Sequence, residues 1–141
     1  MGQERGVYVV ASRRLEDLHP AIQPLAAKLV KECRKEGIDL LIYATYRSKE
    51  EQVKLYAIGR TKDLGKSPVT WTLASRHTEE FEDGTPASTA FDCVPMLMGK
   101  CMWSSSQLYK RVGEIGKKIG LSWGGDWGAK RKDSPHFQLP R

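Results

Sequence analysis

Twice in this chain an apolar run at helical spacing stops at a glycine and is followed at once by a short apolar run of strand length. Ile22, Leu25, Ala26, Leu29, Val30 and Cys33 recur on one helical face and end before Gly37, and Ile38 to Ala44 then reads as a strand. Leu108, Val112, Ile115 and Ile119 form a second such face, capped from Ser104–Ser106 and stopped at Gly120, with Leu121-Ser122-Trp123 as the next strand. Between them, Ser48 followed three residues later by Glu51 is a capping-box pattern, which predicts a further helix from Lys49 to Ile58 ending at Gly59. Ala90–Val94 and His136–Leu139 add short strands, and an extended start is expected over residues 6–11. Helices and strands that alternate without the long crossovers of a parallel sheet imply an α+β domain: a small, mainly antiparallel sheet flanked by about three helices.

The chain has 141 residues, enough for one domain with a real core and too few for a catalytic unit plus a separate binding module. A single domain over 1–141 is therefore expected. Neither a signal-peptide pattern nor a membrane-length apolar run is present, so synthesis as a soluble cytosolic protein without membrane insertion is expected. Three cysteines, Cys33, Cys93 and Cys101, lack paired metal spacing and read as reduced thiols. A net charge of +6 favours polyanions, with Lys130-Arg131-Lys132 and Arg34-Lys35 as local concentrations. Nucleic acid is not expected as the partner, because finger spacing, a phosphate loop and a basic recognition helix are all missing.

The chemistry-bearing residues stand outside the helical runs. His77, Asp92 and His136 offer two imidazoles and one carboxylate, a set that holds one Zn2+ in a tetrahedron with a position left open. Asp133, three residues before His136, is a spare carboxylate able to face the same cleft. Arg47 follows the first strand, and its guanidinium fork suits a substrate carboxylate. Polar, irregular sequence from Arg60 to Arg76 is expected to shape the cleft. The stretch Glu79-Glu80-Phe81-Glu82-Asp83-Gly84-Thr85-Pro86 reads as an acidic inserted loop in which Glu82 and Asp83 compete with Asp92 as ligand and which could gather a cation such as calcium. Asp92 is preferred because an apolar, strand-like run follows it.

Four patterns occur in order: Ser75-x-His77, Ala90-x-Asp92, Gly124-Gly125-x-Trp127 and Asp133-x-x-His136, preceded by Tyr46-Arg47-Ser48-x-x-x-Gln52. In these the chain resembles the zinc peptidases that cut D-alanyl-D-alanine or L-alanyl-D-glutamate bonds in bacterial cell walls, a group that includes VanY-like carboxypeptidases and phage endolysins. The likeness runs from about His19 to Phe137, and departs in the long stretch Thr78 to Phe91 between the first two ligands. It implies a fold shared with Hedgehog signalling domains and zinc held by His77, Asp92 and His136, with Asp133 as general base toward the attacking water. It also implies substrate contacts from Arg47, and more weakly from Gln52, Ser75 and Trp127. The peptidoglycan stem peptide is then the partner and the L-alanyl-D-glutamate bond the expected target of a monomeric enzyme, reaching the wall through a pore made by another protein. A D-alanyl-D-alanine carboxypeptidase and a non-catalytic zinc-bearing binding module are the alternatives.

Overall fold

A computed structural model of the chain describes residues 11–62, 64–66, 70, 72 and 75–140. The extended start expected over residues 6–11 lies, except for Ala11, outside them. Among these residues three helices, α1 (Gln23–Lys35), α2 (Lys49–Ala57) and α3 (Ser106–Ile119), accompany five strands, β1 (Asp39–Ala44), β2 (Ala90–Leu97), β3 (Lys100–Cys101), β4 (Ser122–Trp123) and β5 (His136–Gln138). The strands form one antiparallel sheet in the order β1-β2-β5-β4, with β3 folded back on the end of β2.

Each boundary follows from local chemistry. Ser48 accepts the backbone N–H of Glu51 while Glu51 accepts that of Ser48, so the capping box at the start of α2 is complete. Gly120 takes a φ of +113° as α3 ends, a left-handed stop open to glycine at little cost. The β2–β3 hairpin had no sequence expectation: its turn uses Met98 at a φ of +51° beside Gly99, and β3 is only two residues long.

Because side chains alternate along a strand, β2 and β5 sort their residues onto two faces. Phe91 and Phe137 are cross-strand partners stacked at 5.7 Å on the face covered by α1 and α3. They join Ile22, Leu29, Val112, Ile115 and Trp123 in the core. α3 packs closely there, since a Cβ on Gly116 would lie 2.5 Å from the Phe137 ring and one on Gly113 would lie 2.3 Å from Trp123. The intervening partners Asp92 and His136 project from the opposite face.

Candidate metal centre and cleft

His77 belongs to a 3-10 turn, Arg76–Thr78, whose entry is fixed by Ser75: its hydroxyl accepts the backbone N–H of His77 at 3.1 Å. The turn is tied to the end of β1 by Arg47 N–H donating to the His77 carbonyl at 2.9 Å. The His77 ring is buried and its Nδ1 lies 2.8 Å from the Thr45 carbonyl. A carbonyl only accepts, so Nδ1 carries the proton and Nε2 the lone pair. That lone pair has no hydrogen-bond partner among the described residues and points at Asp92 Oδ1, 3.3 Å away. His136 Nδ1 stands 3.1 Å from the same oxygen.

The three ligand atoms lie within 4.8 Å of one another, the one such group of histidine, cysteine and acidic side chains among the described residues. Zinc bonds of about 2.0–2.1 Å give a tetrahedron with edges of about 3.3 Å, close to the two separations from Asp92. A buried lone pair facing a buried carboxylate with no proton between them is a costly arrangement that a cation relieves. The donor set therefore fits a divalent metal. Asp83 and Glu82, the competing acids, are not in the group; Asp83 instead accepts Thr85 N–H and its hydroxyl at 3.0 and 2.7 Å.

Electrostatics concentrate at the same point. Burial by itself would raise the Asp92 carboxyl, but the two neighbouring imidazoles, with the hydrogen bond to His136 Nδ1, outweigh it and hold the group well below the usual carboxylate range. Burial would lower His136, yet the bond and charge of Asp92 prevail and raise it. Asp133 is raised, first by burial and then by the charge of Asp92. Its Oδ2 lies 3.9 Å from His136 Nδ1, with the side chain about half exposed. It thus stands beside the ligand cluster without belonging to it, where a proton-accepting group is useful.

A cleft of about 690 Å³ opens over this cluster, lined among others by Arg47, Ser75, Trp127, Arg131, Lys132 and Asp133. The Trp127 ring sits 5.0 Å from that of His136 and closes one wall, whereas Trp123 is core. The Arg131–Lys132 cluster, which the sequence shows only as basic, forms part of the rim. Arg47 donates through Nη1 to Gln52 Oε1 at 2.7 Å, and its Nε has no partner among the described residues. Burial lowers the Arg47 pKa. Gln52 is fully buried and, besides accepting from Arg47, donates through its amide nitrogen to the Thr72 carbonyl and Thr70 hydroxyl, at 2.6 and 3.2 Å. It holds Arg47 rather than lining the cleft; its polar type at one turn from Ser48 gave no hint of that burial.

The acidic stretch is a closed hairpin, not an open loop. Phe81 N–H donates to Thr85 O and Ala87 N–H to Glu79 O, both at 2.9 Å. Glu80 accepts from the Tyr46 hydroxyl and lies 4.0 Å from Lys49, while Glu79 accepts from Thr89 and pairs with Arg76 at 3.6 Å. Two of the four carboxylates are thus committed to different protein partners.

A family model described as D-alanyl-D-alanine carboxypeptidase matches residues 56–139. The peptidoglycan L-alanyl-D-glutamate endopeptidase CwlK of Bacillus subtilis is 34% identical over 133 residues, covering 87% of this chain and 74% of that protein. The L-alanyl-D-glutamate peptidase of Listeria phage A118 is 32% identical over 117 residues, covering 81% of this chain but only 35% of the phage protein. Among solved structures, the Serratia marcescens L-Ala D-Glu endopeptidase ChiX superposes with a TM-score of 0.68 at 22% identity, over 95% of this chain and 91% of that one. The vancomycin-resistance D,D-pentapeptidase VanY in complex with Zn(II) gives 0.58 at 18%, over 86% and 72%. At these identities the two structures speak for the fold.

Proposed function

The chain belongs to the D-alanyl-D-alanine carboxypeptidase family of M15 peptidases, and from that premise we propose that it is a zinc-dependent peptidoglycan peptidase hydrolysing the L-alanyl-D-glutamate bond of the stem peptide. The observation that carries the reading is the orphaned His77 Nε2 facing Asp92 beside His136. These three residues would hold the zinc. Zinc bound there supplies Lewis acidity, lowering the pKa of a bound water and polarising the scissile carbonyl.

The protein's own groups do the rest. Asp133, ionised, accepts the proton of the attacking water and returns it to the departing amine; its raised pKa makes it a better acceptor in the first of these transfers. Arg47, oriented by Gln52, keeps unused donors for a substrate carboxylate. In an L-alanyl-D-glutamate link the glutamate α-carboxylate lies one carbon from the scissile nitrogen. A C-terminal D-alanine places its carboxylate at the same remove, so Arg47 serves either bond. The Arg131–Lys132 rim draws an anionic peptide toward the cleft. Ser75 holds the His77 turn, and Trp127 shields the ligand cluster from water. All of these groups come from one chain, which suits a monomer.

The names of the Bacillus, phage and Serratia relatives favour the endopeptidase reading, while the family description and the VanY likeness favour a carboxypeptidase as the second. Access to the wall through a pore made by another protein is part of the first reading and rests on the phage relative. The test is mass spectrometry of muropeptides released from purified sacculi by the zinc-loaded protein. Peptides with a new N-terminal glutamate support the endopeptidase; free D-alanine alone supports the carboxypeptidase. Metal analysis of His77→Ala, His136→Ala and Asp92→Ala should show zinc lost in each and kept in Asp83→Ala. Full zinc in both histidine variants overturns the ligand assignment.

A further inference from the structure

The two histidines of the cluster are held in opposite senses. His77 is fixed through Nδ1 by a backbone carbonyl and presents Nε2. His136 presents Nδ1 to Asp92, and its Nε2 lies 2.9 Å from Oε1 of Gln138. Gln138 is two residues along β5, so the pleat places its side chain on the same face as His136. An imidazole can turn either nitrogen inward, and a nitrogen that binds metal must have no proton. We propose that Gln138 is the positioning residue of this centre: by accepting the Nε2–H of His136 it fixes the tautomer and ring orientation in which Nδ1 is the ligand atom.

The proposal rests on the metal reading above and deepens it. A backbone carbonyl, the device used for His77, cannot be altered by substitution, whereas Gln138 can. An apolar side chain at 138 leaves the Nε2–H without an acceptor, so the ring gains by turning Nε2 inward or admitting water. Glutamate keeps an acceptor in the same place. Loss of a partner of this kind weakens metal binding by about 10- to 100-fold.

The experiment compares wild type, Gln138→Leu and Gln138→Glu. Zinc dissociation constants come from competition with a chromophoric chelator, and long-range 1H–15N spectra of the zinc-loaded proteins assign the protonated and metal-bound nitrogens of His136. The expected result is Nδ1 coordination with a protected Nε2–H in wild type and in Gln138→Glu. Gln138→Leu should show about 10- to 100-fold weaker binding with a lost or fast-exchanging Nε2–H. Zinc affinity and an Nε2–H signal in Gln138→Leu equal to wild type overturn the proposal, as does an equal loss of affinity in the two variants, which marks simple packing. Failure of wild type itself to bind zinc sinks the metal reading instead, and circular dichroism of each metal-free protein separates either result from misfolding.

Discussion

Replacing Gln52 by leucine separates a residue that touches substrate from one that holds another residue in place. Gln52 is fully buried, and its amide makes the 2.7 Å bond from Arg47 together with the bonds to Thr72 and Thr70. Leucine fills a similar volume and removes all three. A hydrogen bond to a charged group contributes about 1.5–3 kcal/mol and neutral ones about 0.5–1.5 kcal/mol each, so a loss of about 2.5–6 kcal/mol is expected. Since whole domains are stable by only about 5–15 kcal/mol, urea denaturation will resolve it. Arg47→Met in the same background should be less destabilising than the sum of the single changes, by about 1.5–3 kcal/mol, because the guanidinium stranded by leucine is then gone. Activity should fall in Gln52→Leu through the misplaced Arg47, with KM for carboxylate-bearing peptides rising. A Gln52→Leu protein within about 0.5 kcal/mol of wild type, or strictly additive effects in the double variant, refutes the holding role.

Asp133→Ala should keep its zinc and lose about 100- to 10,000-fold in hydrolysis, as for removal of a general base; a variant that loses metal yet is fully active with excess zinc assigns Asp133 to orientation of His136. Gly116→Ala should cost up to about 2 kcal/mol in a denaturation curve. The Cβ meets Phe137 at 2.5 Å, an overpacking of about 1–3 kcal/mol against a helix-propensity gain of about 1 kcal/mol. Gly128→Ala, whose Cβ meets nothing within 4 Å, is the control, and equal stability of the two contradicts the packing argument. The pH dependence follows from the directions at the cluster. His136 is raised when folded, so its contribution is complete below the free value of about 6.5 and lost as pH rises through the raised one. Asp92 is depressed, so its contribution is present above about 3.9 and lost as pH falls through the depressed value. Metal-free protein should therefore weaken from neutral toward alkaline pH, and the zinc-induced rise in Tm should be larger at pH 8 than at pH 6 because binding displaces a proton. A zinc shift independent of pH over that range counts against the scheme.

Periodicity and punctuation made the helices legible, because the Ile22–Cys33 and Leu108–Ile119 faces and the glycines behind them act locally. That His77, Asp92 and His136 come together was legible for a different reason: each sits in a short frame whose neighbours fix the backbone, as Ser75 does for His77. What stayed hidden depends on contacts remote in sequence or made by the main chain. The Thr45 carbonyl that sets the His77 tautomer has no side-chain signature at all. Burial of Gln52 goes with its bonds to Thr70 and Thr72, remote in sequence, which a helix with a weak amphipathic pattern does not announce. The acidic stretch reads as an open loop from composition, yet Tyr46, Thr89 and Arg76 reach it from other segments and draw its carboxylates apart.

Of the three proposed ligands, Asp92 and His136 are partners across adjacent strands, whereas His77 alone rides on a turn outside the sheet. A metal held by these three would thus be a staple between the sheet and a buried turn, itself tied down by Arg47 and Thr89 N–H groups and by the Arg76 guanidinium on the Leu139 carbonyl. Opening of that turn, a sub-global event cheaper than unfolding the sheet, would remove one ligand and loosen the ion. Exchange of the ion should then keep pace with amide exchange around residues 75–78 and not with that of β2 or β5. Protease attack on metal-stripped protein should begin at the same turn, leaving the sheet as the resistant remnant.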